Sequence, residues 1–185
     1  IKEDYANKTV KEYARQRLGF SSRLLKKLKQ TPNGILVNNQ PVFVTHVLKG
    51  GDVLEFRLPD EEGSARVTPT PGALDIIFED EDLLVVNKPA PLPVHPTKGH
   101  ETDTLANIVA YYYATQNINM VFRCVNRIDS GTTGVVILAK NAFIHEALQK
   151  QQETGRLLKE YLAIVEGNAP SNGEVNAPIA KIPAP

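Results

Sequence analysis

The chain has 185 residues, 42% of them apolar, and 21 Lys and Arg balance 21 Asp and Glu. That length holds one full domain, or a small domain with part of a larger one, and the apolar share supports a packed core. Excluded are a membrane-spanning helix, because no apolar run approaches ~18 residues, and an internal disulfide, because Cys124 is the lone cysteine. With no charged segment leading into an apolar one, no signal peptide is expected, and a single thiol fits a reducing compartment, so the cytoplasm is the expected location.

Zero net charge conceals segregation. From Ile1 to Gln30 there are nine bases (Lys2, Lys8, Lys11, Arg15, Arg17, Arg23, Lys26, Lys27, Lys29) against three acids, a local excess of +6. Such a stretch is either an electrostatic footprint or a solvated helix face. Thr9-Val10-Lys11-Glu12 is a capping box that starts a helix, with Val10, Tyr13, Ala14 and Leu18 as its apolar stripe and Gly19 as its end. Ser21 or Ser22 caps a second helix to Lys29, with Leu24, Leu25 and Leu28 facing inward. Residues 34–38 and 53–57 read as strands, with turns at Asn38-Asn39 and at Gly50-Gly51-Asp52. Two basic helices followed by Val-Asn-x-x-x-Val and Gly-Asp-x-Leu-x-Phe resemble the S4 RNA-binding module over about residues 8–57. The resemblance implies RNA phosphate contacts from Arg15, Arg23, Lys26 and Lys27, which give salt-dependent affinity and little sequence choice.

Residues 59–72, rich in Pro, Gly, Ser and charge, mark a linker between residues 1–58 and 73–185. Two apolar runs, 74–77 and 83–87, flank Glu79-Asp80-Glu81-Asp82, which predicts a hairpin with an acidic tip. Residues 87–96, NKPAPLPVHP, form a stiff, extended, proline-rich loop. His95, His100 and Cys124 match no common zinc spacing, so no metal site is expected; His95 is a loop-packing or RNA-facing residue. Asp103 or Thr104 starts a helix through about Tyr113. Its three successive tyrosines point in different directions, which favours packing over base stacking.

The rest of the chain is organised around residues 123–140, RCVNRIDSGTTGVVILAK. Cys124, beside this motif, reads as a small buried residue. The β-branched run Val135–Ala139 predicts a buried central strand, apolar on both faces. Asp129 sits at its mouth, where a rigid element can aim a catalytic group; by itself it also reads as an Asx-turn acid. Gly131-Thr132-Thr133-Gly134 has the letters of a GXXG clamp, but a strand follows where that clamp needs a helix. Asn141 caps a helix to about Glu153. Residues 158–165 read as a strand with Tyr161, Ala163 and Val165 on one face, and Asn172-Gly173 as a turn opening another hairpin.

Residues 127–134 resemble the His-Arg-Leu-Asp-x-x-Thr-Ser-Gly signature of the RluA-type pseudouridine synthases, with Asn126, Ile128 and Thr133 in place of His, Leu and Ser. Residues 88–96 resemble that family's Lys-Pro-Ala-Gly…Val-His-Pro, with Pro91 for Gly, and residues 159–167 its Lys-x-Tyr-x-Ala-x-Val-x-Gly. The resemblance implies an α+β chain: a small S4-like αα-β module, then part of a mixed, mostly antiparallel synthase sheet with flanking helices. It implies isomerisation of uridine in structured RNA, ribosomal RNA ahead of transfer RNA, by a monomer needing no metal or organic cofactor. Asp129 would attack C1′ or take the C2′ proton; sequence leaves both routes open. Arg127 would enter the space left by the flipped base, and Tyr161 would stack on the uracil or take the C5 proton. The family's Arg-x-His-Gln-Ile-Arg type segment, whose Arg pairs with the catalytic Asp, is not among these residues. The chain therefore reads as part of a longer enzyme, and by itself is expected to fold poorly or not turn over. Asn126 and the missing segment leave a second reading, a non-catalytic RNA-binding protein on a decayed scaffold. Hydrolysis of free nucleosides fits less well, because neither a carboxylate pair nor a metal site is evident.

Overall fold

The structure is a computed structural model that describes residues 1–58, 67–119, 121–168 and 170–178. Helix α1 (Val10–Gln16) starts at the expected capping box: the Thr9 hydroxyl accepts from the Glu12 N–H at 3.2 Å, and the Glu12 carboxylate accepts from the Thr9 N–H at 2.8 Å. It ends three residues before Gly19, whose φ of +74° turns the chain toward the next helix. Helix α2 (Ser22–Gln30) is capped by Ser21, whose hydroxyl accepts from the Leu24 N–H at 3.1 Å. Strands β1 (Ile35–Val37), β2 (Gln40–Pro41) and β3 (Leu54–Phe56) form an antiparallel sheet in the order β2-β1-β3. Asn38 and Asn39 take φ of +49° and +63° between β1 and β2, as a two-residue hairpin loop of mirror-image type requires. Val10, Ala14, Leu24, Leu25, Leu28, Ile35 and Val37 close the core of this unit.

A second core lies on a second antiparallel sheet, β4 (Ile76–Glu79), β5 (Leu83–Lys88) and β6 (Gly134–Ala139), in the order β4-β5-β6. The acidic tip sits at the β4–β5 turn as expected, and a register shift near Ile77 bends β4. Helix α3 (Leu105–Thr115) covers one face, burying Leu105, Val109 and Tyr113 against Leu84, Val86, Val136 and Leu138. Tyr113 is buried in the core and Tyr111 is partly exposed, as expected of neighbours on a helix, but the Tyr112 and Tyr113 hydroxyls converge, both donating to Glu79. Part of the expected linker is tied down. Thr70 donates to the Asn107 carbonyl, and the buried Asn107 amide donates to the Thr68 carbonyl at 2.8 Å.

Two expectations need correction. In the three-stranded sheet β5 is the middle strand, although residues 123–126 bond to the other edge of β6. β6 is not covered evenly on both faces: Val136 and Leu138 are inside on one face, while on the other Ala139 is buried but Val135 is 51% exposed. An apolar run of β-branched residues cannot distinguish a doubly covered strand from one whose outer face stays open. Residues 158–165 form no strand. Leu162 and Ile164 are fully exposed, and among the described residues none pairs with this segment. Alternation supplies a face, but a strand exists only through ladder hydrogen bonds to a neighbour. Residues 172–178 likewise carry no strand, and Ile179 lies outside the described residues.

Helix α4 (Ala142–Glu153), capped by the Asn141 side chain, follows β6 as expected and joins the two cores. Its Phe143 ring meets Phe20 at 5.0 Å, and Phe20 meets Phe56 at 4.8 Å. Among the described residues no helix is long and apolar enough to cross a membrane.

Candidate active site and RNA surface

Asp129 is exposed on a tight turn in which its carbonyl accepts from the Thr132 N–H at 3.0 Å. The turn is fixed from below. Leu92, in the proline-rich loop, donates its N–H to the Ser130 carbonyl at 3.1 Å. Lys88, the last residue of β5, is wholly buried and lies opposite Gly134 in the β5–β6 register. Its ammonium donates to the carbonyls of Pro89 at 2.9 Å, Leu92 at 2.7 Å and Ser130 at 3.2 Å. An ammonium has three hydrogens, and three carbonyls receive them. Burial pushes the Lys88 pKa down, and the Asp129 carboxylate opposes that shift. A buried cation therefore welds the proline-rich loop to the Asp129 turn and lies within the field of its carboxylate. The sequence reading gave Lys88 no role. The available signal was a lysine closing an apolar strand immediately before a proline-rich loop.

Asn126, the departure from the family letter, has a visible task. Its Oδ1 accepts from the Ile137 N–H at 2.8 Å and its Nδ2 donates to the Val135 carbonyl at 2.9 Å. The side-chain amide thus stands in for a peptide group. It extends a ladder in which Val125 N–H meets the Ile137 carbonyl and Ala139 N–H meets the Arg123 carbonyl. Residues 123–126 cover the outer edge of β6 in this way and deliver Arg127 and Asp129 to its mouth. Arg127 is exposed beside His95, whose pKa falls through burial first and the nearby guanidinium second. His95 packs edge-on against Phe122 at 5.1 Å, the loop-packing role. Cys124 is half-buried against the second core, short of the fully buried residue expected, and burial pushes its thiol up to about 12.

Tyr161 does not join this cluster. It is 62% exposed, and among the described residues no hydrogen bond or ring contact links it to the Asp129 turn. The basic candidates are better gathered. Arg15, Arg23 and Lys27 line one wall of a groove of about 1060 Å³ whose other wall is α4. Lys26 faces a smaller neighbouring hollow with Lys11, Arg15 and Lys29. Basic surface therefore wraps around α2.

Comparison with known proteins decides what this arrangement belongs to. Residues 82–184 match the family described as RNA pseudouridylate synthase. The chain belongs to that family. The uncharacterized RNA pseudouridine synthase YjbO of Bacillus subtilis (strain 168) is 37% identical over 176 residues, covering 95% of this chain and 62% of that protein. The ribosomal large subunit pseudouridine synthase D of Yersinia pestis is 33% identical over 180 residues, covering 96% of this chain and 50% of that protein. The chain thus spans between half and two thirds of the length of these relatives. A solved structure of human RNA pseudouridylate synthase domain containing 4 has a TM-score of 0.38 at 25% identity, covering 44% of this chain and 30% of that one. Membership in this family of isomerases bears out the resemblance carried by residues 127–134.

Proposed function

We propose that the protein carrying this chain isomerises uridines within structured RNA to pseudouridine, with Asp129 as the essential carboxylate. The observation that carries the reading is the Asp129 turn: an exposed acid on a rigid β-sheet mouth, held over a buried lysine, in a member of the synthase family. The reaction breaks the N1–C1′ bond, rotates the uracil and joins C5 to C1′. A carboxylate serves it by attacking C1′ or by removing the C2′ proton. It acts as a carboxylate close to the ribose, on a turn that the buried Lys88 ammonium holds through the Ser130 carbonyl at 3.2 Å. The target base must leave its stack to be reached, at a cost of a few kcal/mol. Arg127, exposed beside the turn, takes the space the base vacates, and Tyr161 serves the uracil ring. Nothing in this scheme calls for a metal or an organic cofactor.

Residues 1–58 act as an S4-like module, joined through 59–72 to the synthase part, and hold RNA by its phosphates with Arg15, Arg23, Lys26 and Lys27. Ribosomal RNA is the favoured substrate, since relatives at 31–35% identity bear the name ribosomal large subunit pseudouridine synthase D. We place the protein in the cytoplasm as a monomer. The non-catalytic alternative loses one of its supports at Asn126, because that side chain has its own structural task rather than marking decay. The test is Asp129→Asn in the native protein, which preserves shape and removes the carboxylate. Tritium release from 5-tritiated uridine in ribosomal RNA should fall to background while RNA affinity holds or rises. Turnover retained in the Asn variant would reduce Asp129 to a turn acid.

A further inference from the structure

The groove of about 1060 Å³ has Phe20 and Leu24 of the first core and the basic side chains of α1 and α2 on one wall, and α4 with Val121 and Arg123 on the other. Five cations line it (Arg15, Arg23, Lys27, Arg123 and Lys150) with two carboxylates, Glu146 and Glu153, and His145. The charges converge across the gap. A Cβ built on Gly19 would lie 3.8 Å from the Lys150 ammonium, so α4 reaches over the α1–α2 turn. The Lys27 pKa is pushed down by burial first and then by Arg123 and Arg23, from opposite walls. Five cations against two carboxylates leave the lining net positive, which attracts a polyanion. Phe20 and Phe143, in ring contact, pin the walls together.

We propose that this groove is a track for one RNA sugar–phosphate backbone, gripped from one side by Arg15 and Arg23 and from the other by Arg123 and Lys150. RNA is then held by α4 of the synthase part as well as by the basic N-terminal helices. Binding fixes the two units against each other, which sets where the target uridine falls relative to Asp129. The inference rests on the reading that the protein acts on RNA.

Salt titrations of the full chain binding a labelled ribosomal RNA stem-loop test it. Lys150→Gln and Arg23→Gln should each reduce the log–log salt slope by about 0.7–0.9, and the double variant by about twice that. Lys150→Arg should restore the wild-type slope, and Lys49→Gln, outside the groove, should leave it unchanged. A Lys150→Gln slope equal to wild type beside a lowered Arg23→Gln slope would confine RNA to α2 and overturn the proposal. Competition by inorganic phosphate or uridine monophosphate beyond an equal ionic strength of chloride would also overturn it, in favour of a small-anion pocket. Tritium release measured in parallel on the wild-type native protein separates the two readings. Turnover without a Lys150 effect rejects the track alone, and a Lys150 effect without turnover rejects the synthase reading alone.

Discussion

Residues 123–140 and residues 158–165 both carry letters of one family, yet they meet opposite fates. The first is built into a sheet: β6 pairs with β5 on one edge and with residues 123–126 on the other, and its loop rests on a buried lysine. The second lies extended with Leu162 and Ile164 fully exposed. The difference is not propensity, since both are rich in β-branched and aliphatic residues. It is the presence of ladder partners, and of buried groups that leave the backbone no cheaper arrangement. Substitutions in each segment test that account.

The largest effect is expected at Lys88. Lys88→Met keeps the stem and removes the three donors, leaving the carbonyls of Pro89, Leu92 and Ser130 without them. The Ser130 carbonyl keeps its bond from the Leu92 N–H, while the Pro89 and Leu92 carbonyls lose their bonds from Lys88. At about 1–3 kcal/mol for each lost partner, offset in part by water, a net loss of roughly 2–4 kcal/mol is expected in urea melts. Hydrogen exchange should quicken first in residues 89–93 and 129–134. A loss below about 1 kcal/mol would mean that the Asp129 turn does not depend on its lysine.

Most of the elements were legible in sequence because their signals are local. Capping boxes, the Asn38-Asn39 turn and the acidic hairpin tip each depend on residues within a few positions. What was not legible depends on long-range partners. Lys88 meets Ser130 across 42 positions, and Asn126 serves a strand edge that appears only once β6 is in place. The same limit explains the misjudged strand at 158–165, whose pattern is local and whose partners are not. Asp129 was legible as a candidate because an acid at a strand mouth is a local signal, whereas the cation beneath it was not.

A smaller effect is expected at Asn126. Asn126→Ala removes both bonds to β6, so the Ile137 N–H and Val135 carbonyl lose their partners on the outer edge. Residue 126 and the edge of β6 are only half-buried, so water replaces part of the loss and about 1–2 kcal/mol is expected. Asn126→His tests the family letter. If His matches Asn in thermal melts, the edge needs only a hydrogen-bonding side chain; if it costs as much as Ala, the amide's paired donor and acceptor are what hold residues 123–126 in place.

The other end of β6 is braced by charge. The Glu79 carboxylate accepts from Lys140 at 2.8 Å, from the Tyr112 hydroxyl at 2.6 Å and from Tyr113 at 3.1 Å. Burial would raise its pKa, but the bonds from Lys140 and Tyr112 and the ammonium charge together carry it below the usual value. Because the folded pKa lies below the unfolded one, this carboxylate adds stability that is fully present above about pH 4.5 and is lost as pH falls through the folded value. Glu79→Gln should cost about 1 kcal/mol near neutrality. The gap to wild type should narrow in melts taken near pH 3. A gap independent of pH would show that shape, not charge, matters at this corner.

The smallest effect belongs to the segment without partners. Tyr161 is 62% exposed, and the residues around it have no ladder to lose. Tyr161→Ala in this chain should therefore change stability by less than about 0.5 kcal/mol, as surface substitutions away from packed features do. A large loss of activity in the native protein at unchanged stability would assign Tyr161 to the reacting base and separate chemistry from packing there. A stability loss above about 1 kcal/mol would instead mean that residues 158–165 pair in solution. The contrast with residues 123–140 would then fail, because both segments would owe their shape to the same sheet.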